Sequence, residues 1–175
     1  MELKYYLNCM TGKVRDIAVM TKTALINGLS GIAQIVLFDQ PKIGVIFFLG
    51  ITLSSPYSAL TCIVGAIFSN SAATTMKYPN GNIQRGLYGF NGALLGLALP
   101  IYFPHPLIFW ICLLLGCFLV TVLYEFMSRL GFLPLTFPFV LITWLFVKIW
   151  GLCPVLSINE VSSIWNGPIH GVGQI

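Results

Sequence analysis

Charge is what this sequence has least of. Only 8% of its 175 residues are Asp, Glu, Lys or Arg, nine basic and five acidic, against about 25% in an ordinary soluble domain. So few charges cannot wet the surface of a 19.3 kDa water-soluble globule. The net charge of +4 is spread thinly, which excludes the clustered basic face of a nucleic-acid binder. A hydrophobic fraction of 57% excludes a disordered chain. The two histidines, His105 and His170, lie far apart, and the five carboxylates are scattered without a close pair. Nor is there a Ser/His/Asp arrangement, an HExxH, a phosphate-binding glycine loop or a haem pair. The expectation is a protein that is not an enzyme and takes no cofactor or metal. Cys9, Cys62, Cys112, Cys117 and Cys153 have no CxxC spacing, so neither a zinc nor a thioredoxin-type site is indicated. They read as small apolar core residues.

What the chain does have is apolar length. Its mean hydropathy is +0.89, and apolar segments run at 24–38, 43–53, 57–76, 87–103, 107–127 and 135–150. A full crossing needs about 17–25 residues, and shorter segments are more often broken or re-entrant. The expected class is all-α integral membrane, with about five crossings. Turn signals separate the segments at Asp39-Gln40-Pro41, Ser54-Ser55-Pro56, Pro79-Asn80-Gly81, Pro104-His105-Pro106 and from Gly131 to Pro134. Residues 1–23 read as a polar tail outside the membrane rather than a signal peptide, since Lys4, Lys13, Arg15, Lys22, Glu2 and Asp16 leave no apolar h-region. Four positive charges before the first span place the N-terminus in the cytoplasm. The transmembrane unit is expected over 24–150, followed by a linker at 151–165.

A repeat is also present. Asn27-Gly28 followed by Gly31-Ile32-Ala33-Gln34-Ile35 reappears as Asn166-Gly167 followed by Gly171-Val172-Gly173-Gln174-Ile175, with Gly31 and Gly171 140 positions apart. Residues 166–175 therefore read as the start of a second copy. An odd number of spans in the first unit turns that copy upside down, the inverted-repeat plan of many transporters.

The candidate polar residues are neutral. Gln34 lies in an apolar run, where an unpaired amide costs several kcal/mol, so it faces either protein or a pore. An interhelical hydrogen bond, worth about 1 kcal/mol, is the alternative to a solute contact. Asn80 to Asn91 is too polar and glycine-rich for a lipid-facing span. A short helix ending at Gly86 or Gly89 would free carbonyls for a solute rich in N–H donors, whereas an ordinary loop would not. Asn91, Thr136 and Gln174 complete the set. Glu125 precedes Arg129 by four residues, which reads as an interfacial pair more readily than as a transport acid. A neutral lining suits a neutral polar solute and not an ion.

At these residues the sequence resembles the urea transporter family. The matching stretches are Ser30-Gly31-Ile32-Ala33-Gln34 with Pro41 beyond it, Gly86-Leu87-Tyr88-Gly89-Phe90-Asn91-Gly92-Ala93-Leu94-Leu95-Gly96, Leu133-Pro134-Leu135-Thr136-Phe137-Pro138-Phe139-Val140, and Gly171-Val172-Gly173-Gln174. The resemblance implies a passive channel for urea in a lipid bilayer, built from two inverted halves and assembled as a homotrimer at full length. Each half has about five spans and a half-spanning pore helix. It implies that Gln34 and Gln174 donate to the urea carbonyl and that Thr136 lines the middle of the pore. It also implies that backbone carbonyls near Leu87 and Tyr88 accept from urea N–H groups, and that Leu37 stands where the family often has Phe. Phe90 replaces a Tyr of the family motif. The expected location is a plasma membrane of the bacterial inner-membrane type. Because the family carries two halves and this chain stops just after Gln174, the expectation is an N-terminal half from a truncated or frameshifted gene or a cut record. An inverted homodimer is the less favoured way to complete a pore. A channel for another small neutral amide or for ammonia, and a structural or partner-binding membrane subunit, remain alternatives.

Overall fold

The fold is taken from a computed structural model that describes residues 2–103 and 106–151. Gln174, the second Gln motif and nearly all of the expected linker lie outside the described residues. Among the described residues, seven α-helices follow in order: α1 (Glu2–Ala33), α2 (Pro41–Ser54), α3 (Pro56–Thr75), α4 (Asn80–Gln84), α5 (Leu87–Tyr102), α6 (Pro106–Arg129) and α7 (Phe137–Gly151). A 3₁₀ turn, Gln34–Val36, extends the end of α1. The described residues contain no strand. The architecture is all-helical, as the composition predicts.

Proline sets most of the boundaries. No proline occurs before Pro41, so α1 runs unbroken from the polar leader into the first apolar segment. Pro41, Pro56 and Pro106 each open a helix, where the missing N–H costs nothing and the fixed φ favours the first turn. Ser55 caps α3 by accepting from the Ser58 N–H at 3.3 Å.

Among the described residues, Leu107–Arg129 is the one unbroken helix long and apolar enough to cross a membrane. Val19–Val36 and Pro41–Ser54 meet that standard together, but they are bent by 77° at the break between them. The apolar helices Leu87–Tyr102 and Phe137–Ile149 are shorter. At 20 residues α3 has the length, yet it buries Thr61, Ser69 and Asn70 and so is less apolar. Helix length alone thus yields fewer crossings than the apolar segments suggest, because breaks and buried polar residues divide the apolar length.

The packing centres on α3 and α5, which share the most extensive contact. Glycines let the two backbones touch. A Cβ on Gly96 would lie 2.2 Å from the Thr61 carbonyl oxygen, and one on Gly65 2.2 Å from that of Gly92. This is the close small-residue packing of membrane helices. The Thr61 hydroxyl donates across the seam to the Gly96 carbonyl at 2.6 Å. Beyond the seam, Leu95, Leu99, Phe109, Leu113, Cys117, Val120, Ile142 and Phe146 form the core where α5, α6 and α7 meet. Cys62 joins Ile32, Ala66 and Ala93 in a second cluster. Both cysteines are buried free thiols, as the sequence reading expects.

The seam gives a stability prediction. Gly96→Val forces a side chain into backbone and is expected to cost about 1–3 kcal/mol or more. Gly50, with nothing within 4 Å of a Cβ, lies inside α2, and Gly50→Ala is expected to stabilise by about 0.5–1 kcal/mol. Thermal unfolding in detergent micelles checks both. Equal melting temperatures for the two variants would contradict the seam.

Candidate functional site

Of the polar candidates, Gln34 lies against the junction between α4 and α5, and Asn91 lies in α5 just beyond it. The short helix α4 ends at Gln84. Arg85 closes its last turn, donating its N–H to the Gly81 carbonyl at 3.1 Å. Gly86 then takes φ +76°, the left-handed conformation that favours glycine after a helix end. The position forbids a side chain for a second reason: a Cβ on Gly86 would lie 2.2 Å from the Gly31 backbone nitrogen. A Cβ on Gly31 in turn would lie 2.9 Å from the Gly89 carbonyl carbon. The end of α1 is therefore pressed directly against the α4–α5 turn.

That contact brings Gln34 to the end of α4. Gln34 is 7% exposed, and its Nε2 donates to the Arg85 carbonyl at 3.0 Å. This carbonyl belongs to the set that a helix C-terminus leaves without an intrahelical partner. The other Gln34 N–H goes to the Asp39 carboxylate. Asp39 also receives the Arg85 guanidinium, Nε to Oδ2 at 2.9 Å. Both partners of the Gln34 amide nitrogen are acceptors, which fixes which end of the amide is which.

Leu87 and Tyr88 stand at the start of α5 rather than at the end of the short helix. The helix-end carbonyl held by Gln34 is that of Arg85, because the chain turns at Gly86 and begins a new helix. Leu87 is partly buried. Tyr88 is fully buried, and its hydroxyl donates to Glu125 Oε2 at 2.6 Å. Arg129 donates to the other oxygen of Glu125 at 2.7 Å. The expected Glu125–Arg129 pair is present, but its acid is 5% exposed and also anchors the start of α5. Tyr124 packs edge-on against Tyr88, centroids 5.2 Å apart.

Asn91 and Thr136 are linked through Leu135. Asn91 is fully buried. Its Nδ2 donates to the Leu135 carbonyl at 3.1 Å, and its Oδ1 accepts from the Phe139 N–H at 3.1 Å. Leu135 has φ +42°, an unfavourable conformation for a branched residue that these bonds hold in place. Thr136, beside it, is exposed, and its carbonyl accepts from the Val140 N–H at 3.1 Å in the first turn of α7. Asn91 thus orients the loop that presents Thr136. Leu37 ends the 3₁₀ turn with φ +63° and is 76% exposed, with Phe38 exposed beside it.

Gln34 is thus fastened to the end of α4 through Arg85, and the loop that carries Thr136 is fastened to α5 through Asn91. The structure adds three residues that sequence reasoning did not single out as site residues, Asp39, Arg85 and Asn70, and gives Glu125 an anchoring role. Asn70 bridges α1 and α5, donating to the Asn27 carbonyl at 2.8 Å and accepting from the Gly89 N–H at 3.1 Å. Its place as an amide inside an apolar run was the signal available for it, as it was for Gln34. Two grooves also occur, of about 470 Å³ between α5 and α7 and about 330 Å³ between α1 and α3. Neither is lined by Gln34, Leu87 or Asn91.

A family model described as "Urea transporter" matches residues 26–175. Urea transporter 1 of Ovis aries is 32% identical over 82 residues, which is 47% of this chain and 21% of that protein. Urea transporter 1 of Mus musculus is 29% identical over the same length and shares. The matched stretch is thus about a fifth of these relatives' own length.

The Asn91 clamp predicts that Asn91→Leu, which keeps the branching at Cγ and removes both hydrogen bonds, costs roughly 2–4 kcal/mol. It should also open residues 131–136 to limited proteolysis. Unchanged melting and unchanged cleavage would show that the clamp does not hold this loop.

Proposed function

This chain belongs to the urea transporter family, and on that premise we propose that it forms one wall of a passive membrane channel for urea. The observation that carries the reading is a pair of neutral polar side chains, Gln34 held at the end of α4 and Thr136 in a loop held by Asn91 of α5. An amide at Gln34 and a hydroxyl at Thr136 are held by an otherwise apolar helical body. Urea is planar, with one acceptor oxygen and four N–H donors. Taking an amide-like group out of water without partners costs about 2–7 kcal/mol. Amide, hydroxyl and carbonyl groups replace those lost bonds, whereas an ion would demand charged rings or carbonyl cages.

In this reading Gln34, Leu37, Leu87 and Thr136 face the solute, and Tyr88 and Asn91 hold the wall in place. Gln174, from the start of a second inverted repeat, supplies the matching amide. The complete pore is lined by two such units, each with about five spans and a half-spanning helix. Three copies assemble in the plasma membrane, with the N-terminus in the cytoplasm. The family is one of transporters, so no catalytic step is assigned.

Urea-driven volume change of proteoliposomes carrying this chain tests the proposal. Urea flux above that of empty vesicles supports a conducting chain, and Gln34→Ala is then expected to lower it about tenfold, the effect of one lost hydrogen bond of about 1.4 kcal/mol. Unchanged flux in that variant refutes the solute contact. Flux equal to empty vesicles favours the second reading, a non-conducting fragment.

A further inference from the structure

We propose that Asp39 is a positioning residue that sets the polarity of Gln34, holding its amide so that the oxygen, and not the nitrogen, is presented to the solute. Three observations converge. Both Gln34 N–H groups are engaged, one on the Arg85 carbonyl and one on the Asp39 carboxylate. Asp39 is itself held by the Arg85 guanidinium at 2.9 Å. The Gln34 side chain is nearly buried, so rotating the amide end for end would aim its oxygen at two acceptors. That arrangement leaves both N–H groups without partners and sets oxygen against carboxylate.

The ring is closed by chain geometry. Gln34 and Asp39 are five residues apart, on either side of the left-handed turn at Leu37. Arg85 contributes its carbonyl to Gln34 and its side chain to Asp39, so one residue meets both ends of the Gln34–Asp39 link. A carboxylate accepts a hydrogen bond more strongly than a neutral carbonyl. It therefore outcompetes a urea oxygen for the same N–H, and the uncommitted Gln34 oxygen is left to accept from a urea N–H. The expected role of Gln34 as a donor to the urea carbonyl is thereby reversed. Asp39 and the Arg85 side chain are about half exposed, so their pairing alone adds little stability. Their effect is on orientation.

The solute-facing part of this inference rests on the proposed reading of Gln34. Side-chain amide exchange in the ¹⁵N-glutamine-labelled chain, in micelles, separates the two. The Gln34 signal is identified by its loss in Gln34→Ala. Both Gln34 amide protons should be protected in the native chain. In Asp39→Ala their exchange should rise about tenfold, equivalent to about 1.4 kcal/mol, while Asp39→Glu restores protection. Asp39→Asn, which keeps the shape and removes the charge, should give an intermediate rate and serves should the alanine variant not fold. Unaltered exchange in Asp39→Asn and Asp39→Ala would overturn the clamp. With the clamp intact, addition of urea should shift the Gln34 resonances without speeding exchange of its two protected protons. A shift accompanied by loss of that protection would mean that urea takes the N–H, and would overturn the assigned polarity. No shift at all would refute the solute contact and leave the Asp39 clamp standing.

Discussion

Gly31 and Gly86 meet with no room between them for a single side-chain carbon, and the candidate site depends on that contact. It presses the end of α1 onto the turn that closes α4 and starts α5. Only then can Gln34 reach the carbonyl that the end of α4 leaves free. Gly86 serves twice, through its left-handed backbone and through its missing side chain. Any other residue would strain the turn and separate the helices together.

Around this contact the molecule uses buried polar side chains as cross-braces. Asn70 ties α1 to α5, Asn91 ties α5 to the start of α7, and Glu125 ties α6 to Tyr88 on α5. Thr61 and Gly96 close the α3–α5 seam. In hydrocarbon each such group needs a partner, and here each partner lies on a different helix or loop. The consequence is an α5 fixed on several sides, beside the end of α4 that holds Gln34 and braced to the loop that carries Thr136. Family membership sets this architecture among the urea transporters.

Much of this was legible in the sequence. The apolar segments located the helices, and Pro41, Pro56 and Pro106 marked their starts. Gly86 was one of two glycines expected to end the short helix, and the helix does end just before it. Gln34 stood out as an amide in an apolar run, for which either a protein partner or a solute was expected. The structure shows the protein partners. Other features were not legible, because they depend on which distant residues meet. Asp39 read as part of a turn, and nothing local announces that Arg85 sits beside it. The Arg85 carbonyl, rather than those of Leu87 and Tyr88, lies at the helix end because the chain reverses into α5 within one residue. The unbroken α1 was missed because charge in residues 1–23 suggested a separate tail, although no proline interrupts the helix.

The central claim is that the neutral groups at Gln34 and Thr136 receive urea. An experimental structure of the chain with urea, or a heavier-atom analogue of it, bound in a lipid or detergent environment tests this most directly. The account predicts density for the solute within hydrogen-bonding distance of the Gln34 side chain and alongside Leu87. Solute density confined to the groove between α5 and α7, lined by Thr143 and Trp144, would contradict it.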